Sequence, residues 1–278
     1  MTSRTPVSAY IRTKNEARLI GEVVRAAQRA VDEVVIVDSG STDETVAIAE
    51  AAGARIIHQE WLGNGSQKRV AEDACPSDWL FDLDADEIVS EELAQEIRAL
   101  FANGTPAVTA FRTPMYFAPP RGAPWIGFGQ QVRHKLYNKR HHRIPDHPVW
   151  DQFDVPPGAV IGTLKSPILH HAFRDTAHLV QKLNKNSSTR ADNLRPKPYW
   201  ILVVRILFAM PFYFAKRYFL DGFFRAGMDG FIFSSITAYG RWLRDVKMYE
   251  QHKSQSDNGD FSHIERSEDA PKAGGADR

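Results

Sequence analysis

Apolar positions in the first hundred residues switch repeatedly between two periods. Val7 to Ile11 is a short β-rich run, and Ile20, Val23, Val24, Ala27 and Val31 then recur at helical spacing. Glu33-Val-Val-Ile-Val-Asp38 is almost continuously apolar, the pattern of a strand buried on both faces of a parallel sheet. Ser39 to Thr45 reads as a turn into a helix, with Ser41 and Glu44 spaced as a capping box and Gly53 placed to end that helix. Ala54 to His58 is a third strand, Gln67 to Asp73 a short helix, and the run from Trp79 to Leu83 a fourth strand. The order β-α-β-α-β-α-β predicts an α/β fold with a mostly parallel, doubly wound sheet and helices on both faces.

The fourth strand ends in Asp82, Asp84, Asp86 and Glu87. Open α/β sheets bind their ligands at the carboxyl ends of the strands. Asp84 and Asp86, two residues apart, share a face of an extended chain and can hold one hard divalent cation between them. Acids after a strand also cap helices, but Ser90 with Glu91 and Glu92 is placed to do that. The Asp84–Glu87 cluster is therefore left for a metal or a nucleotide.

The second half is patterned differently. Leu93, Ile97, Leu100 and Phe101 mark a helix ending near Gly104, and Ala107 to Phe111 and Val132 to Asn138 read as extended. Between them, Arg112 to Gly129 is rich in Pro, Gly and aromatics and suits a long ligand-contacting loop. His134 to Arg143 holds Lys135, Lys139, Arg140 and Arg143 with no acid. Thr176 to Leu194 is a polar helix stopped by Pro196 and Pro198. Tyr199 to Leu220 is dominated by aromatic and aliphatic residues, with Pro211 expected to kink or divide it, and Phe223 to Tyr249 continues the aromatic character. The expected division is a catalytic unit over residues 1–175, a helical extension over 176–252, and a disordered polar tail over 253–278.

Composition narrows the class of protein. At 278 residues with 43% hydrophobic and 25% charged positions, the chain can bury an ordinary globular core. A net charge of +1 argues against a nucleic-acid partner. One cysteine, Cys75, excludes an internal disulfide and suits a reducing compartment, where it is a packing residue next to Pro76. The first residues lack the apolar stretch of a signal peptide, and no uninterrupted membrane-length apolar run is visible, so action in the cytoplasm is expected.

Three segments at successive strand ends, Thr13-Lys-Asn-Glu16, Val37-Asp-Ser-Gly-Ser-Thr-Asp-Glu-Thr45 and Leu83-Asp-Ala-Asp-Glu87, together resemble the inverting glycosyltransferases of family 2, which have the GT-A nucleotide-sugar fold. The resemblance covers roughly the first 100 residues. It implies that Asp38 accepts from the N3–H of a uracil-type base, that Thr13 and Glu16 reach base and ribose, that Asp84 contacts ribose or metal, and that Asp86 coordinates Mg2+ or Mn2+. It also implies a later carboxylate as general base, for which Asp146, Asp151 and Asp154 are available. His147-Pro-Val-Trp-Asp-Gln-Phe153 is similar to a Val-His-Glu segment of a lipopolysaccharide-core, glucosyltransferase-like branch, with Trp150-Asp151 in place of His-Glu. Asp151 is the base so identified, and Asp146 the reserve. His170 is a further metal or diphosphate ligand, or else a hydrogen-bonded structural histidine. Arg133 and Lys135 are expected to face phosphate on donor or acceptor, and the basic cluster around them a phosphorylated acceptor or anionic lipid, unless it is a solvated loop.

The stretch from Trp200 to Trp242 resembles the amphipathic C-terminal appendage of the same branch. Aromatics mixed with Arg and Lys suit peripheral contact with the cytoplasmic face of the inner membrane, a core-covering layer, or a homodimer interface. The implied reaction moves one sugar from a nucleotide-sugar donor, UDP being favoured, to a glycan or glycolipid acceptor of the cell envelope. No QxxRW-type motif of processive synthases is present. Rival readings are a haloacid-dehalogenase-type phosphatase, because a strand followed by Asp84-Ala-Asp86 mimics its nucleophile motif, a nucleotidyltransferase, and a non-catalytic membrane-binding module. Against the phosphatase, three βα units precede the acidic strand; against the nucleotidyltransferase, no Gly-rich basic loop lies near the N-terminus.

Overall fold

The structure is a computed structural model and describes residues 6–257. The first half follows the expected alternation: β1 (Val7–Thr13), α1 (Ile20–Gln28), β2 (Glu33–Asp38), α2 (Thr45–Ala51), β3 (Arg55–His58), α3 (Asn64–Ala74), β4 (Trp79–Asp84). Then come β5 (Glu87–Val89), α4 (Glu91–Phe101), β6 (Ala110–Phe117), β7 (Gln131–Asn138), β8 (Ile161–Thr163) and β9 (Ile168–His170). The sheet order is β3-β2-β1-β4-β7-β6-β9-β5, with β8 paired to β6. β3, β2, β1 and β4 are mutually parallel, whereas β7 runs antiparallel to both β4 and β6. The sheet is thus mixed and mostly parallel, with strand order reversing direction between β1 and β4, the position at which such sheets open a crevice.

Successive side chains of the central strands go to opposite faces, and both faces are covered. Ala9, Ile11, Val34, Ile36, Phe81 and Leu83 pack with α1, α2 and α4. Tyr10, Val35, Val37 and Leu80 pack with Ala71 and Cys75 on the α3 side. Double coverage is why these strands read as continuous apolar runs. Ser90 caps α4 as expected, its Oγ accepting from the Leu93 N–H at 3.1 Å, a contact of about 0.5–2 kcal/mol. The capping box at Ser41 and Glu44 does not form: α2 begins at Thr45, whose N–H donates to Asp43 Oδ1, and Ser41 is used elsewhere. Cys75 is buried, its thiol pushed up to about 12 by burial, as befits a packing residue.

The C-terminal third is helical: α5 (Thr176–Asn193), α6 (Tyr199–Ala215), a π-helical turn (Lys216–Leu220), a 3-10 turn (Phe223–Ala226) and α7 (Gly227–Asp257). α7 runs past the expected boundary at residue 252, and the rest of the expected tail, 258–278, lies outside the described residues. Pro211 does not divide α6, which continues to Ala215 before widening into the π turn. The expectation concerned an uninterrupted apolar run; the structure adds a helical segment that is interrupted but of membrane length. Tyr199–Leu220 is long and apolar enough to cross a bilayer by length and composition, and only 11% of its most apolar stretch is buried. Arg205, Lys216 and Arg217 interrupt the run in sequence, the last two at its C-terminal end. A cluster of Phe117, Trp125, Phe173, Leu179, Phe223 and Phe233 welds this helical unit to the β6 and β9 end of the sheet.

Candidate active site

Strand register assembles the site. Along β1, Arg12 stands opposite Asp84 of β4, while Thr13 stands opposite Asp38 of β2. The loops leaving β1 and β2 are clipped together. Asn15, at a positive φ of 55° that Asn tolerates, donates its N–H to Ser41 Oγ at 2.9 Å and accepts from the Thr42 N–H at 2.8 Å. The Glu16 N–H donates to Thr45 Oγ1 at 2.8 Å. An open cleft of about 200 Å3 results, lined by Arg12, Thr13, Glu16, Asp84, Asp86 and Lys182 together with Lys14, Ser39, Trp61 and Ala85. Thr13 Oγ1 is buried there without a hydrogen-bond partner, which a bound polar ligand would supply. Burial and the nearby Asp86 raise the pKa of Glu16.

Two cations organise the acids. Arg12 donates from Nε to Asp84 Oδ1 at 3.0 Å and from Nη2 to Asp151 Oδ2 at 2.7 Å, so one guanidinium spans both carboxylates. Lys68, only 1% exposed, lies 2.8 Å from Asp82, 3.6 Å from Asp84 and 3.8 Å from Asp151. Burial alone would raise the pKa of Asp84, but Arg12, Lys68 and Lys135 outweigh it and hold the carboxyl well below the usual range. Asp151 is lowered in the same way, with Lys68 and Arg12 overcoming burial.

Asp151 arrives on a loop that closes over the start of α3. The N–H groups of Asn64 and Gly65 donate to the carbonyls of Pro148 and His147, both at 2.9 Å. Gly65 is required by this approach, since a Cβ there would meet the carbonyl oxygens of Pro145 and Trp150 at 2.2 and 2.3 Å.

Asp86 faces a different set of partners, because the chain turns at Ala85 between β4 and β5. Asp84 therefore looks toward Arg12 and Asp86 toward His170 and Lys182, instead of the two sharing one strand face. His170 Nε2 is 3.5 Å and Lys182 Nζ 3.0 Å from Asp86 Oδ2. Burial works against the Asp86 carboxylate, yet His170 and Lys182 hold its pKa far below the usual range. Asp86 in turn raises the pKa of His170 against the opposing effect of burial. Among the described residues no three His, Cys, Asp or Glu side chains gather into a ready metal cage. The donor set nevertheless fits a hard cation that shares its coordination with substrate phosphates, for which one or two protein ligands suffice. Asp86 with His170 offers two, and the ammonium of Lys182 shows that this carboxylate already draws a cation.

Several expected residues are placed elsewhere. Asp38 is 1% exposed, and its carboxylate is spent on the turn that follows: Oδ2 accepts from the N–H groups of Gly40 and Ser41, and Oδ1 from Ser41 Oγ at 2.5 Å. It shapes the loop carrying Ser39 and does not line the cleft. Lys135 does not face phosphate. It is 2% exposed and paired at 2.7 Å with buried Glu87, because β7 is an interior strand beside β4. Arg133 is exposed at the overhanging start of β7, outside the cleft lining. Asp146 is exposed and bound to Ser66 Oγ on α3. His170, by contrast, is where it was expected, facing Asp86 with its ring stacked on Phe117. Arg12, Lys68 and Lys182 escaped sequence reasoning. Arg12 carried a signal, a charge inside an otherwise apolar strand, but the partners of Lys68 and Lys182 are visible only after folding.

Comparison with known proteins identifies the family. Residues 8–155 match the model of the family described as "Glycosyl transferase family 2". An uncharacterized glycosyltransferase of Rickettsia felis is 35% identical over 264 residues, covering 88% of this chain and 89% of the relative. The lipopolysaccharide core biosynthesis glycosyltransferase LpsC of Rhizobium meliloti is 30% identical over 274 residues, covering 91% of this chain and 95% of its own. Among solved structures, glucosyl-3-phosphoglycerate synthase from Mycobacterium tuberculosis in complex with Mg2+ and UDP is 23% identical, with a TM-score of 0.32, over 42% of this chain and 44% of that one. The family match spans more than half of the chain and takes in β1 through β7, the cleft acids and Asp151. The chain belongs to glycosyltransferase family 2.

Proposed function

We propose that the protein transfers a single sugar, with inversion, from a UDP sugar to a hydroxyl of a cell-envelope glycan of the lipopolysaccharide-core class, on the cytoplasmic side. The observation that carries the reading is the convergence of Thr13, Glu16, Asp84 and Asp86 in one cleft at the β1/β4 crevice, with Asp151 joined to it through Arg12. Similarity over nearly the whole length of LpsC supports the acceptor class.

The chain's own residues divide the work. Thr13 Oγ1 and the Glu16 carboxyl offer polar contacts to the base and ribose. Asp86 with His170 would hold Mg2+ or Mn2+, which supplies positive charge to a departing diphosphate. Lys182 adds charge to the same corner. Arg12 and Lys68 keep Asp151 ionised, so it is a ready but weak base. The acceptor hydroxyl attacks the anomeric carbon from the side opposite the diphosphate. Its oxygen forms the new C–O bond, its proton passes to Asp151, and the bond to phosphate breaks with its electron pair on the nucleoside diphosphate. A weak base suffices because the hydroxyl grows acidic as its oxygen bonds to the sugar.

Calorimetric titration of UDP and a panel of UDP sugars, with and without Mn2+, tests this. We expect metal-dependent binding that is lost in Asp86→Ala. Failure of every UDP ligand to bind, with or without metal, would overturn the donor assignment. The family assignment removes the phosphatase and non-catalytic readings as primary functions.

A further inference from the structure

α6 has two faces of opposite character. Trp200, Val204, Leu207, Phe208 and Phe212 fall at helical spacing on one side, and each is at least half exposed, from 50% for Val204 to 68% for Trp200. Leu202 and Ala209, half a turn away, are buried against the rest of the chain. The bare side continues through Phe219 and Leu220 of the π turn, 61% and 82% exposed, to Met228 at the start of α7, 71% exposed. So many large apolar side chains side by side exceed what single surface residues explain. None of them lines the catalytic cleft.

The charges around this face are mostly basic. Between Arg195 and Asp229 the chain has six Lys and Arg residues and two acids, Asp221 and the exposed Asp229. Asp221 is itself held by Lys216 at 3.0 Å and Arg217 at 3.5 Å. Arg195 and Arg225 are exposed, and Lys216 is half exposed. Trp and Tyr at the Tyr199–Trp200 end add side chains that favour a bilayer interface.

We infer that this face of α6, the π turn and the start of α7 docks flat on an anionic lipid bilayer, with α6 lying in the interface and not crossing it. α6 has the length to span, but it is not a free helix. Arg205 donates to Asp245 Oδ2 of α7 at 2.9 Å, Lys197 Nζ reaches Asp245 Oδ1 at 3.3 Å, and Trp242 Nε1 donates to the Ile206 carbonyl at 3.0 Å. Crossing would draw Arg241, Arg244, Asp245 and Lys247 into hydrocarbon with it, or break these bonds. Lying flat immerses the bare face, leaves the α7 contacts intact, and sets the basic rim against lipid phosphates.

The test reads binding alone, so its failure is separable from failure of the transferase reading. Full-length protein is sedimented with phosphatidylethanolamine–phosphatidylglycerol vesicles and, separately, with phosphatidylcholine vesicles. We expect binding to the anionic vesicles, weaker binding to the neutral ones, and release by high salt or alkaline wash. Leu207→Glu/Phe208→Glu should weaken the partition by at least about tenfold. Both positions point away from the core, and an unchanged melting temperature certifies the fold of the variant. Arg195→Gln/Arg225→Gln should bring anionic binding down toward the neutral level. Protein left wholly in the supernatant overturns the inference, as does a dimer in sedimentation analysis that the double Glu variant converts to monomer without any vesicle binding. Protein that resists alkaline wash and is protected from protease on both sides of α6 overturns the flat geometry.

Discussion

The cleft at the ends of β1 and β4 and the outer face of α6 solve opposite problems. In the cleft, charged groups are buried and must find partners inside the molecule. Arg12 and Lys68 therefore lock Asp82, Asp84 and Asp151 into one arrangement. On α6, apolar groups are left in water and have no internal partner. The first region is preorganised and its geometry belongs to the chain alone, whereas the second is complete only against something outside the chain. Mutations should separate the two regions by what they damage, stability and turnover in the one and localisation in the other.

The largest effect is expected at Lys68. Replacing it with Met leaves Asp82 buried and uncompensated, with its Oδ1 already lacking a hydrogen-bond partner. Chemical denaturation should show a loss of about 3–5 kcal/mol. A loss below about 1 kcal/mol, the range of surface pairs, would mean that the acids are solvated and the contrast between the regions is weaker than drawn. Asp86→Ala should come next, lowering turnover by about 10²–10³-fold, as loss of one electrostatic stabiliser does. Its thermal midpoint should hold, since its partners Lys182 and His170 are both in reach of solvent.

Gly65→Ala sharpens the comparison from another direction. It touches no substrate, but its Cβ displaces the loop that delivers Asp151. Turnover should fall on the order of 10–100-fold, by analogy with small misplacements of catalytic groups, while the affinity for UDP stays near wild type. Equal losses in both would place Asp151 in donor binding instead.

The smallest effect is a pH dependence within the helical unit. The Asp245 carboxyl is disfavoured by burial, but Arg205, Arg244 and Lys197 bring its pKa below the ordinary value. The unfolded chain then binds the proton more readily than the folded one, so the stabilisation is complete above about pH 4, the unfolded value. It is lost as pH falls through the lower, folded value. Melting curves of wild type and Asp245→Asn should differ at neutral pH and converge under acid. A constant difference would show that the pair does not titrate as the geometry requires.

What the sequence determined by itself was local. β1 to β4 and their helices could be read because a strand covered on both faces must be apolar along its whole length, and a helix covered on one side must repeat at 3.6 residues. The acids after β4 could be read because charge clustered beside a buried strand calls for a local reason. Asp84 and Asp86 were found this way, Thr13 and Glu16 only through the family resemblance, and the four do meet in one cleft.

Tertiary structure decided whatever depends on which distant segments touch. Asp38 and Asp84 look equivalent in sequence, both ending parallel strands, yet Asp38 is consumed by its own turn and Asp84 is held at the cleft by Arg12. Lys135 and Lys182 look like two surface cations, but one is sealed against Glu87 and the other reaches Asp86 from a helix almost a hundred residues away. An ionisable side chain takes its role from the charge it is folded against, and a one-dimensional pattern records only its neighbours along the chain. The same holds for α6: its apolar residues were visible from the start, but only its packing on α7 showed which of them remain bare.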